Sequence, residues 1–271
     1  MIHKEIPVTI NGKETDARLY TYFWSNSEEL YDGRKRPCVL ICPGGAYRMT
    51  SDREAEGVAV KFMDMGCHAA VLRYTTAPSE VFPDAFLEVA ACVKMLRENA
   101  EKWYIDTEKI LIQGSSAGGH LAAMYGTYWN NEKLAEILDT TVEELRPNGQ
   151  ILSYPVITTG KFRHKDTFRN LLGDLWDEFK GTCSLEWNVS ENTPNTFIWH
   201  SFTDATVPVE NSLMYVQALV KADIPVEFHL FPEGEHGLGT ATQLSLGADG
   251  RGVQRQCARW MPLVKAWIDT L

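Results

Sequence analysis

Apolar residues along this 271-residue chain fall into two rhythms. One is the short, largely apolar run that fits a strand buried on both faces: Pro37–Cys42, His68–Leu72, Lys109–Ile112, Gln150–Pro155, Thr196–His200 and Val226–Phe231. The other is helical spacing. It occupies 53–65, the stretch from Pro83 and Asp84 to about Lys102 (Phe86, Val89, Ala90, Val93, Leu96), the residues after Gly119, 208–222 and 252–270. Ser51-Asp52-Arg53-Glu54 reads as a capping stretch ahead of the first of these helices, and Gly66 as its stop. Two further strands, Ile6–Ile10 and Ala17–Phe23, flank Asn11-Gly12, a strong hairpin signal. Residues 130–147 are charged and helical in part. Residues 156–195 break the rhythm, setting Phe162, Phe168, Trp176, Phe179 and Trp187 among polar residues, and we read them as a lid-like excursion. Strands alternating with helices after an antiparallel start predict one α/β domain over 1–271. Its sheet is mostly parallel and twisted, with helices on both faces and right-handed crossovers.

Composition narrows the classes of function. With 44% hydrophobic residues the chain can bury a sizeable core, which excludes disorder. A net charge of −10 and the lack of a basic run argue against nucleic acid as partner. No apolar run is long enough to cross a bilayer, and the first residues lack the apolar core of a signal peptide. The six cysteines lack C-x-x-C spacing and sit mostly in apolar stretches, so we expect a reducing, cytoplasmic setting.

Candidate chemistry centres on Gly114-Ser115-Ser116-Ala117-Gly118, which joins an apolar strand to a helix that continues Gly119-His120-Leu121-Ala122. G-x-S-x-G in that setting is a nucleophile elbow, with Ser116 presented on a sharp turn. A serine hydroxyl needs a base, and the base needs an orienting acid, in the chain order Ser, acid, His. Asp204 follows the strand at Thr196–His200 and is the expected acid; Glu210, at the start of the next helix, is its rival. His236, between Glu235 and Gly237 after the last strand, is the expected base. The remaining histidines fit worse: His3 is terminal, His68 and His229 lie in strands, and His120 follows the nucleophile on its own helix. His164 lies in the excursion, and His200 is too near Asp204 in sequence to partner it comfortably. Fixed N–H donors for an oxyanion are expected from Ala117 and from Gly45 and Ala46 in the loop after the third strand. Tyr47 could edge the pocket, and Trp176 and Trp187 could stack on sugar rings, with plain packing as the alternative for each.

Taken together, Pro43–Tyr47, Gly114–Ala122, Asp204 with Val207-Pro208 and Asn211–Leu213, and Glu235–Gly239 resemble bacterial α/β-hydrolase esterases. The nearest subgroup is the carbohydrate acetyl esterases and feruloyl or xylan esterases, also called acetyl esterase or lipase. The resemblance runs from about residue 15 to the C-terminus. It implies the α/β-hydrolase fold, a triad of Ser116, Asp204 and His236, and an oxyanion hole from Gly45, Ala46 and Ala117. It also implies a serine carboxylesterase acting on acetyl esters, on carbohydrates in the subgroup, with neither metal nor organic cofactor. The small excursion at 156–195, too short to build a long apolar tunnel, favours short acyl groups. Pro43 stands where the lipase-like HGGG pattern has a histidine, so the usual brace of that loop is missing. A peptidase or thioesterase, or a non-catalytic binding protein of the same fold, are the alternative readings. Oligomeric state is not readable from these features.

Overall fold

The computed structural model of the protein describes residues 1–79 and 81–271. Eight strands form one sheet in the order β1-β2-β4-β3-β5-β6-β7-β8. They are β1 (Glu5–Ile10), β2 (Lys13–Tyr22), β3 (Arg36–Cys42), β4 (His68–Arg73), β5 (Ile105–Ser115), β6 (Gly149–Ser153), β7 (Thr196–Ser201) and β8 (Val226–Phe231). The helices are α1 (Glu28–Tyr31), α2 (Glu56–Asp64), α3 (Asp84–Glu98), α4 (Ala100–Trp103), α5 (Ala117–Tyr128), α6 (Glu132–Ile137), α7 (Lys165–Leu172), α8 (Trp176–Phe179), α9 (Glu210–Lys221) and α10 (Trp260–Thr270). β1, β2 and β4 pair antiparallel, and every pairing from β4 through β3 to β8 is parallel. This is the α/β-hydrolase architecture.

Period-two alternation divides the core. Cys38, Leu40 and Cys42 of β3 pack with α3 and α5 on one face, whereas Val39 and Ile41 pack with α2 and α10 on the other. β5 obeys the same rule, with Ile110 and Ile112 on the first face and Leu111 on the second. At the hairpin, Asn11 (φ 51°) and Gly12 (φ 73°) take the left-handed conformations a two-residue turn requires, and pairing runs up to Ile10 and Lys13. β2 therefore begins before the expected Ala17.

The elements depart from the expected pattern at three places. The helix expected to reach Lys102 breaks at Asn99, whose Nδ2 donates to the Met95 carbonyl and competes with the backbone ladder. The closing helix starts at Trp260 rather than 252, because the preceding residues bond at long range: Gly252 N–H to Glu235 and Gln254 N–H to the Ala241 carbonyl. The first core-facing helix begins at Glu56, and Ser51 caps nothing with its side chain.

From β3 the chain crosses to β4 on one side and then returns from β4 past β3 to β5 on the other, and this reversal opens a crevice at the C-terminal ends of the strands. The loops leaving β3, β5, β6, β7 and β8 all reach that edge.

Candidate active site

β5 ends at Ser115 and α5 begins at Ala117, so Ser116 alone makes the turn, at φ 56° and ψ −120°. Small neighbours permit it. A Cβ on Gly114 would lie 2.1 Å from the Gly118 carbonyl oxygen, and one on Gly118 would lie 2.0 Å from the Cys42 carbonyl oxygen. The strained serine is thus held by close backbone packing of β3, β5 and α5. Its hydroxyl donates to His236 Nε2 at 2.7 Å, and His236 Nδ1–H donates to Asp204 Oδ2 at 2.6 Å. The structure brings these three residues together from the ends of β5, β7 and β8.

Asp204 is almost fully buried, and burial alone would raise its pKa. Hydrogen bonds from His200, His236 and the Val207 N–H outweigh burial and hold the carboxyl well below the usual range. Its Oδ1 accepts the N–H groups of Thr206 and Val207, each at 2.9 Å. His200, set aside in the sequence as too close, stands 3.4 Å from Asp204 Oδ2. Its Nε2–H donates to the Val207 carbonyl at 3.0 Å while Nδ1 accepts from Ser212 at 2.7 Å. A short loop lets the two meet, and His200 backs the acid rather than serving as base. Glu210 begins α9, and Asp204 occupies the position on His236.

The loop after β3 carries Gly45 at φ 133°, Ala46 at φ 55° and Tyr47 at φ 55°, three positive values in a row. Among the described residues, the N–H groups of Gly45, Ala46 and Ala117 have no acceptor, whereas the Gly44 N–H donates to Glu54 Oε2 at 2.8 Å. The loop does not lack a brace. Tyr74 O–H donates to the Pro43 carbonyl at 2.6 Å, and Asn170 Nδ2 of α7 donates to the Ala46 carbonyl at 2.7 Å. The sequence pattern hides Glu54 as a site residue, because Ser51-x-x-Glu54 matches a helix cap and both partners of its carboxylate, Gly44 and Tyr154, lie outside that window.

Other expected residues are placed differently. The Tyr47 ring is fully buried and its O–H donates to His120 Nδ1 at 2.9 Å, so it packs behind the loop instead of edging a pocket. Trp187 is 64% exposed, in a groove lined by Val189, Met214, Gln217 and Lys221 that includes none of Ser116, His236 and Asp204. Trp176 packs edge-on to Phe168 with Arg163 over its ring. His164 precedes α7 near His236 and Asp204, and burial lowers its pKa. Among the described residues there is no group of three or more His, Cys, Asp or Glu able to hold a metal ion, and no helix long and apolar enough to cross a membrane.

His120, one turn after Ser116, is fully buried; its Nε2–H donates to the Cys183 carbonyl at 3.0 Å. Burial lowers its pKa from 6.5 to about 4. Between those values the unfolded chain holds the extra proton, so stability is full above pH 6.5 and declines as pH falls toward 4, by about 3 kcal/mol in all. We expect the unfolding temperature to drop between pH 7 and pH 5, and to drop less in His120→Gln. Equal pH dependence in the two proteins would remove His120 from this account.

A comparison with known families decides the chain's kinship. The BD-FAE model matches residues 29–219, well over half of the sequence. The chain belongs to the BD-FAE family. Endo-1,4-beta-xylanase B of Butyrivibrio fibrisolvens is 41% identical over 219 residues, covering 78% of this chain and 34% of that protein. The acetylxylan esterase of Xylanibacter ruminicola is 28% identical over 214 residues, covering 75% of this chain and 41% of that one. The chain thus spans less than half the length of these two curated relatives. Among solved structures, the acetyl ester-xyloside bifunctional hydrolase of Caldicellulosiruptor lactoaceticus superposes with a TM-score of 0.84 at 32% identity, covering 98% of this BD-FAE chain and 96% of that one.

Proposed function

We propose that the protein is a serine carboxylesterase that cleaves short-chain, acetyl esters, with acetylated sugars as the substrate class. The observation that carries this reading is the continuous hydrogen-bonded chain from Ser116 Oγ through His236 to buried Asp204. In the proposed reaction Ser116 Oγ attacks the ester carbonyl carbon as His236 Nε2 takes its proton. Asp204 keeps the proton on Nδ1 and stabilises the imidazolium. The N–H groups of Gly45, Ala46 and Ala117 receive the oxyanion. His236 then protonates the leaving alcohol, and a water activated by the same ring releases the acid from the acyl-enzyme. The acetyl and sugar assignments are supported by the names of two similar proteins, an acetylxylan esterase and an acetyl ester-xyloside hydrolase. The same proposal makes 1–271 one domain with 156–195 as cover for the site, supported by the bond from α7 to the Ala46 carbonyl. It also places the protein in the cytoplasm, supported by six free, buried thiols.

The test is hydrolysis of nitrophenyl acetate, butyrate and octanoate, followed by acetic acid release from acetylated xylan. Acetate should be turned over fastest. Octanoate cleaved faster than acetate would refute the acyl preference, and faster turnover of thioesters or amides would move the protein to the alternative readings.

A further inference from the structure

We propose that Glu54 is a positioning residue, whose buried carboxylate ties the Gly44–Ala46 loop to the loop of His236 and sets a second negative charge beside the imidazole. This deepens the esterase reading and rests on it. Glu54 is only 3% exposed, and burying a carboxylate is costly unless it is well partnered. Its two oxygens accept from two different loops. Oε2 takes the Gly44 N–H at 2.8 Å, and Oε1 takes the Tyr154 O–H at 2.8 Å. The Tyr154 oxygen in turn accepts the Gly239 N–H at 2.7 Å, which leaves the phenolic hydrogen for Glu54. Both oxygens therefore act as acceptors, the arrangement an ionised carboxylate requires.

The carboxylate also lies close to the reacting groups. A Cβ on Gly44 would be 2.5 Å from Glu54 Oε2 and 2.8 Å from the Ser116 Cβ, and a Cβ on Gly237 would be 3.9 Å from Glu54 Oε1. The Tyr154 ring meets the His236 ring edge-on, with centroids 5.0 Å apart. His236 is thus surrounded by Ser116, Asp204, Tyr154 and Glu54, with His164 and the Asp204 partner His200 beyond. Glu54 is itself faced by Tyr74 and by Arg53, whose Nη1 donates to the Gly237 carbonyl at 3.5 Å and whose Nη2 stands 3.6 Å from Asp249. Burial raises the Glu54 pKa, while His236, Tyr154, Gly44 and Arg53 all oppose that shift.

Two effects follow. Oxyanion donors work only if they are held where charge develops, so loosening Gly44 weakens the transition state more than the bound ester. Removing a negative charge beside His236 disfavours the imidazolium, so the acid limb of the pH profile moves to lower pH. A merely structural role would lower the unfolding temperature without moving that limb.

The experiment measures kcat, KM and the pH dependence of kcat/KM on nitrophenyl acetate for wild type, Glu54→Gln, Glu54→Asp and Ser116→Ala. Glu54→Gln should lose about 10- to 100-fold in kcat with KM within about threefold, and its acid limb should fall by about 0.5 pH or more. Glu54→Asp keeps the charge but is too short to reach both loops, so it should lose kcat while holding the limb in place. Glu54→Gln with kcat within about twofold of wild type and an unmoved limb, beside an inactive Ser116→Ala, overturns the inference and leaves the esterase reading intact. Full activity in Ser116→Ala overturns the esterase reading itself. Should Glu54→Gln fail to fold, Tyr154→Phe cuts the link to Gly239 while the Gly44 N–H and Arg53 still partner the carboxylate. A fall in kcat of about tenfold with KM within about threefold and an unchanged unfolding temperature supports the tie, and an unchanged kcat overturns it.

Discussion

Ser116→Ala should lower kcat for nitrophenyl acetate by about 10⁵- to 10⁶-fold while leaving the folded structure intact. The size follows from what the hydroxyl does in the proposed reaction. It forms the covalent bond to the acyl carbon, and among the described residues no neighbouring side chain stands in its place: His236 Nε2 points at Ser116 Oγ, and Asp204 lies behind the ring. The fold should tolerate the change because alanine keeps the Cβ and the backbone, and the Ser116 N–H and carbonyl retain their bonds to Ser153, His120 and Val156. Residual catalysis from the N–H groups of Gly45, Ala46 and Ala117 would remain above the rate in water. Equal unfolding temperatures, loss of turnover and loss of stoichiometric labelling by a fluorophosphonate would together identify the nucleophile. Turnover equal to wild type would make Ser116 a structural turn and bring the non-catalytic reading forward.

The sheet and much of the candidate site were legible because their signals are local. An apolar run, a hairpin dipeptide, an elbow of glycines around a serine, and an acid or histidine just past a strand each sit inside a short window. Because parallel strands end at one edge, the loops holding Ser116, Asp204 and His236 had to meet. What stayed hidden depends on distant partners. Glu54 looks like the last residue of a capping box, yet Gly44 and Tyr154 claim its carboxylate, and Ser51 offers its N–H to the Gly44 carbonyl. The missing histidine before Gly44 suggested an unbraced loop. The braces come instead from Tyr74, Glu54 and Asn170, three positions that no single contiguous motif joins to Gly44. Tyr47 misled for the opposite reason: beside a candidate site in sequence, its left-handed backbone turns the ring into the core against His120.

Asp204→Asn should reduce kcat by about 10⁴-fold near neutral pH, through the tautomer of His236 rather than through loss of structure. The surrounding donors determine how an amide would sit. Thr206 and Val207 both direct N–H groups at Oδ1, so the amide oxygen must occupy that side and the NH₂ must take the Oδ2 position. From there it would donate to His236 Nδ1, which then becomes an acceptor and pushes the ring proton onto Nε2. An Nε2 carrying a proton cannot accept one from Ser116, although the distances would hardly change. The same amide would also turn a donor toward His200 Nε2–H, which now faces a carboxylate at 3.4 Å, so a modest loss of stability should accompany the kinetic effect. Nitrogen-15 spectra can separate the two. Neutral wild-type His236 should carry its proton on Nδ1 and the variant on Nε2, a change that mere loosening of the loop would not produce. A kcat within about tenfold of wild type would remove Asp204 from the proposed role, and a larger loss in Glu210→Gln would transfer the role to Glu210.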